Sequence, residues 1–424
     1  MRSRIVYRMA FSSIVLIRKT INTVRQQPKN IVKPIKIFSK TTLLSMDNKE
    51  NPVAEPTDRS ALRRIATFSD KMEDASPYQR IVVTPFEKNK ILTMYPVAKK
   101  ILEGEMVYPL MAVVYPSYVC NHNCQGCSYR ELNRKENVFL DPKNFVKLLR
   151  SLRSLEVKSI ELSGGGEPTS HPQFCELAEG AVKEGFDLAL LTNGFLLSGR
   201  IADVVVDNFT YVRVSVDAND GGVYNQIHRP PEIYGFQTIL NNLEEVISKR
   251  NQRNSKLTVG AKVLVCQTNM NFIESVTSLA KDIGCDYVQF EPMRNTEDSL
   301  FPEQIARVDD LIKTLQERYY PFSVCGGAKG SKTNMKCWLS PIHILVDPLG
   351  DVYPCSHYQY RRGSTRMGNL FRQPLEKIWF GSKHKEVIRD LKVEECNLYD
   401  CRWHYYNEIM WQVIMENKMH LNFL

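Results

Sequence analysis

Residues 115–130 read YPSYVCNHNCQGCSYR. An apolar, β-rich run, Leu110–Tyr115, leads into this stretch, and three cysteines follow at CxxxCxxC spacing: Cys120, Cys124 and Cys127. Asn121, Asn123 and Gly126 between them are turn-competent, so the triplet sits on a loop at the end of a strand. Three thiolates this close along the chain can wrap a compact iron–sulfur cubane, for which cysteine is the usual protein ligand. Only three of the four irons would then be held. The fourth keeps an open position, which is the logic of a catalytic metal site. Zinc is the alternative, and it requires a fourth ligand close by; His122 is the candidate in the loop.

Outward from this loop the pattern is regular. Apolar runs recur at Ser159–Leu162, Leu188–Leu191, Tyr211–Val216, Leu257–Val265 and Tyr287–Phe290. Between them lie amphipathic stretches such as Phe145–Leu155, Phe174–Glu184 and Phe236–Lys249, the last with Ile239, Leu240, Leu243 and Ile247 at helical spacing. Strands alternating with helices imply βα units around a parallel sheet. Six units are too few to close an eight-fold barrel. The expectation is an α/β fold, a partial (β/α)6 TIM-like barrel, with function at the C-terminal ends of its strands. Residues 1–107 form a tail and lead-in, 108–320 the barrel, and 321–424 a small cysteine-rich module with a C-terminal helix.

The strand ends carry polar groups where a barrel site needs them. The second strand ends in ELSGGGEPTSHP, whose glycines let a ligand approach the backbone closely. The third ends in LLTNGFLL, bringing Thr192 and Asn193 to the mouth, although a helix-capping turn explains them equally well. The fourth ends in VRVSVDA, and period-two alternation puts Ser215 and Asp217 on one face. The fifth and sixth offer Asn269, Asn271, Glu291 and Arg294, each as readily a loop cap or a solvated side chain.

A strand followed by CxxxCxxC, with Tyr129 two residues after the last cysteine, resembles the radical S-adenosylmethionine (AdoMet) superfamily. The resemblance implies that Cys120, Cys124 and Cys127 hold a [4Fe–4S] cluster whose open iron chelates the AdoMet amino and carboxylate groups. It implies reductive cleavage of the sulfonium to a 5′-deoxyadenosyl radical that abstracts a substrate hydrogen. Placed one βα unit after the triplet, Gly165, Gly166, Glu167 and Pro168 look like the superfamily's GGE motif, which contacts the AdoMet amino group. Ser215 and Asp217 are carried over to the carboxylate or ribose, and Asn193 to the cofactor mouth. An external electron donor such as a flavodoxin or ferredoxin is implied as a partner.

A second cysteine set follows the barrel. In CWLSPIHILVDPLGDVYPC, Cys337 and Cys355 flank a β-hairpin turned at Asp347–Gly350; MGNLFRQPLEKIW reads as a turn and short helix, and ECNLYDCRWHYYNE adds Cys396 and Cys401. Four thiols can close a zinc site or a fully ligated [4Fe–4S] cluster, and spacing does not separate the two. The segment resembles the auxiliary-cluster module called Twitch, the shortened SPASM domain. Its closing pair is separated by four residues where the family more often has two, and Cys325 is a substitute ligand. A sealed cluster suits electron relay and hence a net dehydrogenation. Residues 81–107 are short and mixed and do not read as an added peptide-binding domain, so a small polar metabolite is the expected substrate. Peptide maturation is the alternative within the enzyme class, and a non-catalytic Fe–S or zinc redox protein the rival outside it.

Composition restricts the partners. The net charge is +9, but residues 1–46 hold ten basic residues and no acid; setting those aside leaves 46 basic against 47 acidic residues. A near-neutral body lacks the clustered basic surface that phosphate neutralisation needs, so no nucleic acid is expected. The apolar run Met9–Ile17 is shorter than the ~20 residues a membrane span takes. The acid-free start resembles a mitochondrial transit peptide; it otherwise reads as a disordered tail, or as sequence ahead of a true start at Met46, where the composition turns acidic. Eleven cysteines, an odd number in a chain this long, favour a reducing compartment such as the cytoplasm.

Overall fold

A computed structural model describes residues 88–130, 137–293, 296–327, 337–355, 365–391 and 403–412. Cys396, Cys401 and Arg294, and the whole of residues 1–87, lie outside the described residues.

After a first helix, α1 (Tyr95–Leu102), the chain alternates strand and helix: β1 (Met111–Val114), α2 (Pro142–Ser154), β2 (Ser159–Leu162), α3 (Phe174–Lys183), β3 (Asp187–Thr192) and α4 (Gly199–Asn208). It continues through β4 (Phe209–Ser215), α5 (Gly221–His228), α6 (Gly235–Gln252), β5 (Thr258–Val265), α7 (Ile273–Ile283), β6 (Tyr287–Pro292) and α8 (Pro302–Arg318). Helix starts follow local chemistry. The Asp141 carboxylate accepts the Asn144 N–H ahead of α2, and Asp220 accepts those of Gly222 and Val223 ahead of α5.

Strands β1 to β6 pair in sequence order, each parallel to the next, as the βα alternation requires. The sheet extends beyond those six. β7 (Ser323–Gly326) adds in parallel beside β6, and β8 (His343–Val346) adds in parallel on the other side of β1. β9 (Asp351–Tyr353) and β10 (Gly368–Asn369) complete that edge in antiparallel fashion. The 337–355 hairpin is therefore hydrogen-bonded into the barrel sheet. Its turn falls at Asp347–Gly350, where Asp347 accepts the Leu349 and Asp351 N–H groups and Gly350 takes a left-handed φ of 81°.

The two sheet faces differ in chemistry. Ala112, Val114, Ile160, Leu162, Val212 and Val214 point to the helices and join one large buried cluster. The opposite face of the same strands carries Glu161, Tyr211, Arg213, Lys262, Gln289 and Glu291. The runs read from the sequence as apolar therefore carry a polar inner face, toward the barrel interior, on β4 to β6. A separate cluster, Ile91, Ala98, Ile101, Trp338, Ile342 and Met410 among its members, packs the lead-in against the C-terminal segment. Two short helices, α9 (Leu375–Trp379) and α10 (Ser382–Arg389), precede α11 (His404–Trp411); Trp379 Nε1 donates to the Val107 carbonyl at 2.8 Å.

Candidate active site

The cysteine loop and the glycine turn are built against each other. Gly166 N donates to Ser117 O and Glu167 N to Val119 O, both at 2.9 Å, so the end of β2 runs flat along the entry to the cysteine loop. A Cβ at Gly165 would lie 2.5 Å from the Tyr118 ring, and one at Gly166 would lie 2.3 Å from the Val119 carbonyl oxygen. Only glycine allows that approach.

Glu167 is buried and fully engaged. One carboxylate oxygen accepts the Thr169 N–H, the Thr169 hydroxyl and the Thr192 hydroxyl; the other accepts the Asn193 N–H. Burial pushes its pKa up, and these donors restrain the rise. Pro168 opens the short 3₁₀ turn that follows, Pro168–Ser170. Asn193 in turn donates through Nδ2 to Asn121 Oδ1 at 2.6 Å and accepts the Phe195 N–H at 3.0 Å. The ends of β2 and β3 thus hold the cysteine loop from one side.

Helix α5 holds it from the other. Asn123 N donates to Arg229 O and Gln125 N to Ile227 O, strapping the loop to the end of the helix. His122 lies buried between Tyr224, at 3.0 Å from its hydroxyl, and Asn121, and burial lowers its pKa to about 3. Ser215 ends β4 half-buried on the inner face, in register with Lys262. Asp217, 2% exposed, sits two residues on with a left-handed φ of 53°; its oxygens reach the Leu264 N–H and His228 Nε2. Asn269 clasps the Asp217 and Leu264 carbonyls through Nδ2, whereas Asn271 is exposed. Glu291 pairs with Lys262 at 2.7 Å.

The donor set suits an iron–sulfur cluster. Burial, then the Glu167 carboxylate, pushes the Cys120 thiol up to about 12; burial and the neighbouring cysteines push Cys124 well above its ordinary range, and burial raises Cys127. Buried thiols of this kind become thiolates only with a positive countercharge, which iron supplies. Among the described residues, no three His, Cys, Asp or Glu side chains converge as ligands of a single metal ion. Asn121 Nδ2 and Arg130 Nε are buried beside the loop without a hydrogen-bond partner among the described residues, donors suited to an anionic ligand group.

Cys337 and Cys355, from the second set, are half-buried, and Cys337 Sγ accepts the Ser340 N–H at 3.3 Å and Asn407 Nδ2 at 3.8 Å. Sequence reasoning missed Tyr224 and His228. They stand one helical turn apart on α5, and nothing in an Asx-capped, amphipathic segment distinguishes a side chain aimed at a distant loop.

Comparison with known proteins agrees with this geometry. The family model described as the radical SAM superfamily matches residues 114–262, and that of an iron–sulfur cluster-binding domain, SPASM, matches residues 337–402. Mycofactocin maturase MftC of Mycolicibacterium smegmatis is 23% identical over 293 residues, covering 65% of this chain and 70% of the relative. Streptococcus suis SuiB bound to precursor peptide SuiA superposes with a TM-score of 0.57 at 14% identity, over 78% of this chain and 80% of that one. For anSMEcpe with bound AdoMet the TM-score is 0.54 at 21% identity, over 70% of this chain and 88% of that one. The two structural likenesses establish the fold. The paired domain matches establish the rest: the chain belongs to the radical S-adenosylmethionine superfamily, as an enzyme of [4Fe–4S] cluster and AdoMet that carries a SPASM-type iron–sulfur domain.

Proposed function

We propose that this chain modifies a peptide by hydrogen abstraction, with Cys120, Cys124 and Cys127 holding the catalytic cluster. One observation carries the assignment: the cysteine loop is clamped between the glycine turn of β2 and the end of α5, at the C-terminal ends of parallel strands. When bound, cluster and AdoMet together supply a 5′-deoxyadenosyl radical, the electron coming from an external donor of the flavodoxin or ferredoxin class. The backbone of Gly165, Gly166 and Glu167, the Pro168 turn, and the side chains of Asn193, Ser215 and Asp217 shape the AdoMet side of the site. Asn193 and Asp217 do so by fixing the loop and strand ends.

Residues 108–320 carry this step, and residues 321–424 carry the auxiliary cluster on Cys337, Cys355, Cys396 and Cys401. A substrate at the barrel mouth would give up a hydrogen atom to that radical. Cys337, Cys355, Cys396 and Cys401 would hold a fully ligated cluster able to take the further electron that, with loss of a proton, a dehydrogenation requires. Support for a peptide substrate comes from the likeness to MftC, a maturase, and to SuiB, solved with a precursor peptide. A second reading, a small polar metabolite, is favoured by the charged inner face, where Lys262 pairs with Glu291 and Arg213 with Gln289. None of the described cysteines forms a disulfide, and no described helix is long and apolar enough to cross a membrane. Use of the thiols for iron fits a reducing compartment such as the cytoplasm.

The test is anaerobic reconstitution, reduction with dithionite and measurement of 5′-deoxyadenosine formed from AdoMet. Cluster-loaded wild type should form it and Cys124→Ala should not; a loaded wild type that forms none would falsify the enzyme assignment. Substrate class follows from extract fractions that stimulate turnover. A peptide predicts stimulation destroyed by protease, whereas a protease-resistant, low-mass stimulant selects the metabolite.

A further inference from the structure

His228 closes α5, and its ring lies between the cysteine loop and the end of β4. Nδ1 stands 3.5 Å from Cys124 Sγ, within range of an N–H···S hydrogen bond. Nε2 stands 2.8 Å from Asp217 Oδ2, a charge contact more than an aligned hydrogen bond, and the two side chains are 4% and 3% exposed. Tyr224 stacks on the ring at 4.3 Å and 17°, which fixes its plane. Asp217 is itself fixed, since its other oxygen takes the Leu264 N–H and its carbonyl takes Asn269 Nδ2. Its left-handed backbone, uncommon for a non-glycine residue, aims the carboxylate at His228.

The ring therefore has an acceptor at each end once Cys124 is a thiolate ligand, a carboxylate at Nε2 and a sulfur at Nδ1. We propose that His228 is a positioning residue that donates an Nδ1–H hydrogen bond to the Cys124 sulfur, held in place by Asp217 and Tyr224, and thereby raises the reduction potential of the catalytic cluster. The inference rests on the reading of Cys120, Cys124 and Cys127 as cluster ligands. Hydrogen bonds to ligand sulfurs set cluster potentials because they stabilise the extra negative charge of the reduced state. Backbone N–H groups also reach the loop sulfurs, His122 N lying 3.5 Å from Cys120 Sγ. At Cys124 a side chain supplies the contact, so a substitution can remove it without rerouting the chain.

The experiment is a reductive titration of reconstituted protein with dithionite and redox mediators, followed by electron paramagnetic resonance of the reduced cluster. His228→Phe keeps a ring against Tyr224 but has no donor. At a fixed poise its ratio of reduced to oxidised cluster should fall about tenfold, which for one electron is ~59 mV. His228→Gln restores an uncharged N–H donor and should return most of that ratio. An unchanged potential in His228→Phe overturns the proposal. So does a Gln variant that matches Phe, because the N–H donor would then not be what sets the potential. If His228→Phe takes up no iron, Asp217→Asn and His228→Gln decide. Lowering in the first with near wild-type behaviour in the second agrees, and wild-type values in both overturn the proposal. Failure of the underlying reading looks different: wild type itself would take up no cluster or leave AdoMet intact.

Discussion

Glu167 Oε2 accepts the backbone N–H of Asn193 at 2.8 Å, joining the last residue of the glycine turn on β2 to the first residue beyond β3. With Oε1 on Thr169 and Thr192, one buried carboxylate gathers two strand ends, and Asn193 carries the linkage on to Asn121 in the cysteine loop. The acid in the glycine motif thus ties the two strand ends to the cysteine loop, and on the proposed reading the motif's backbone is left to serve the cofactor.

Substituting that carboxylate should be costly. Glu167→Gln replaces one acceptor oxygen with an NH₂ that must face a donor, and is expected to lower the unfolding free energy by ~1–3 kcal/mol. Glu167→Ala strands the Thr169 and Asn193 N–H groups and the Thr192 hydroxyl, at about 3 kcal/mol or more. Urea unfolding measures both, and wild-type midpoints would contradict the described network.

Gly260 on β5 lies under the Tyr287 ring of β6, and a Cβ there would come within 2.0 Å of Tyr287 Cζ and 2.4 Å of its hydroxyl. Gly260→Ala should therefore destabilise by about 1–3 kcal/mol through overpacking. Tyr287→Leu opens the space, so the double variant should lose less than the two single losses together, with a coupling of roughly 0.5–3 kcal/mol. Additive losses would show that the two positions do not meet on the inner face.

Much of this architecture was legible because its signals are local. The six apolar runs match β1 to β6 within about two residues at either end, the Asp347–Gly350 turn falls where the glycine placed it, and the triplet loop follows β1. What the residues could not announce were long-range pairings. β7 is four residues with a glycine at its end, and β8 reads as half of a hairpin, yet each pairs in parallel with a barrel strand. The same holds at the site. Ser215 and Asp217 share a face by alternation, but Asp217 turns to His228 and Leu264 because its left-handed backbone breaks that alternation. Tyr224 and His228 carry no motif at all.

The C-terminal set should hold iron independently of the first. Asn407 braces Cys337 from two sides, its Oδ1 on the Trp338 N–H at 2.7 Å and its Nδ2 toward the sulfur. Cys337→Ala is expected to lose about four irons per chain, one [4Fe–4S] cluster, while dithionite-driven 5′-deoxyadenosine formation persists. Iron and zinc counted together on the same preparations decide the metal. Zinc lost in place of iron would make the module structural.

His384, on α10, gives the fold an acid-sensitive point away from the site. Its Nδ1 donates to the Trp379 carbonyl at 2.6 Å, its ring packs 4.3 Å from that tryptophan, and Nε2 is buried with no partner among the described residues. Burial holds its pKa down at about 4, partly offset by the bond to Trp379. The folded state therefore keeps the ring neutral where the unfolded chain already binds a proton. Stability from this residue is complete above pH ~6.5, falls as pH drops through that value, and levels off below about 4, a loss of about 3 kcal/mol in all. His384→Phe gives up the hydrogen bond, about 1 kcal/mol at neutral pH, but removes one proton from the linkage. Urea unfolding at closely spaced pH values between 7 and 4 should show a shallower decline for the variant, and parallel curves would mean that His384 charges freely in the folded protein.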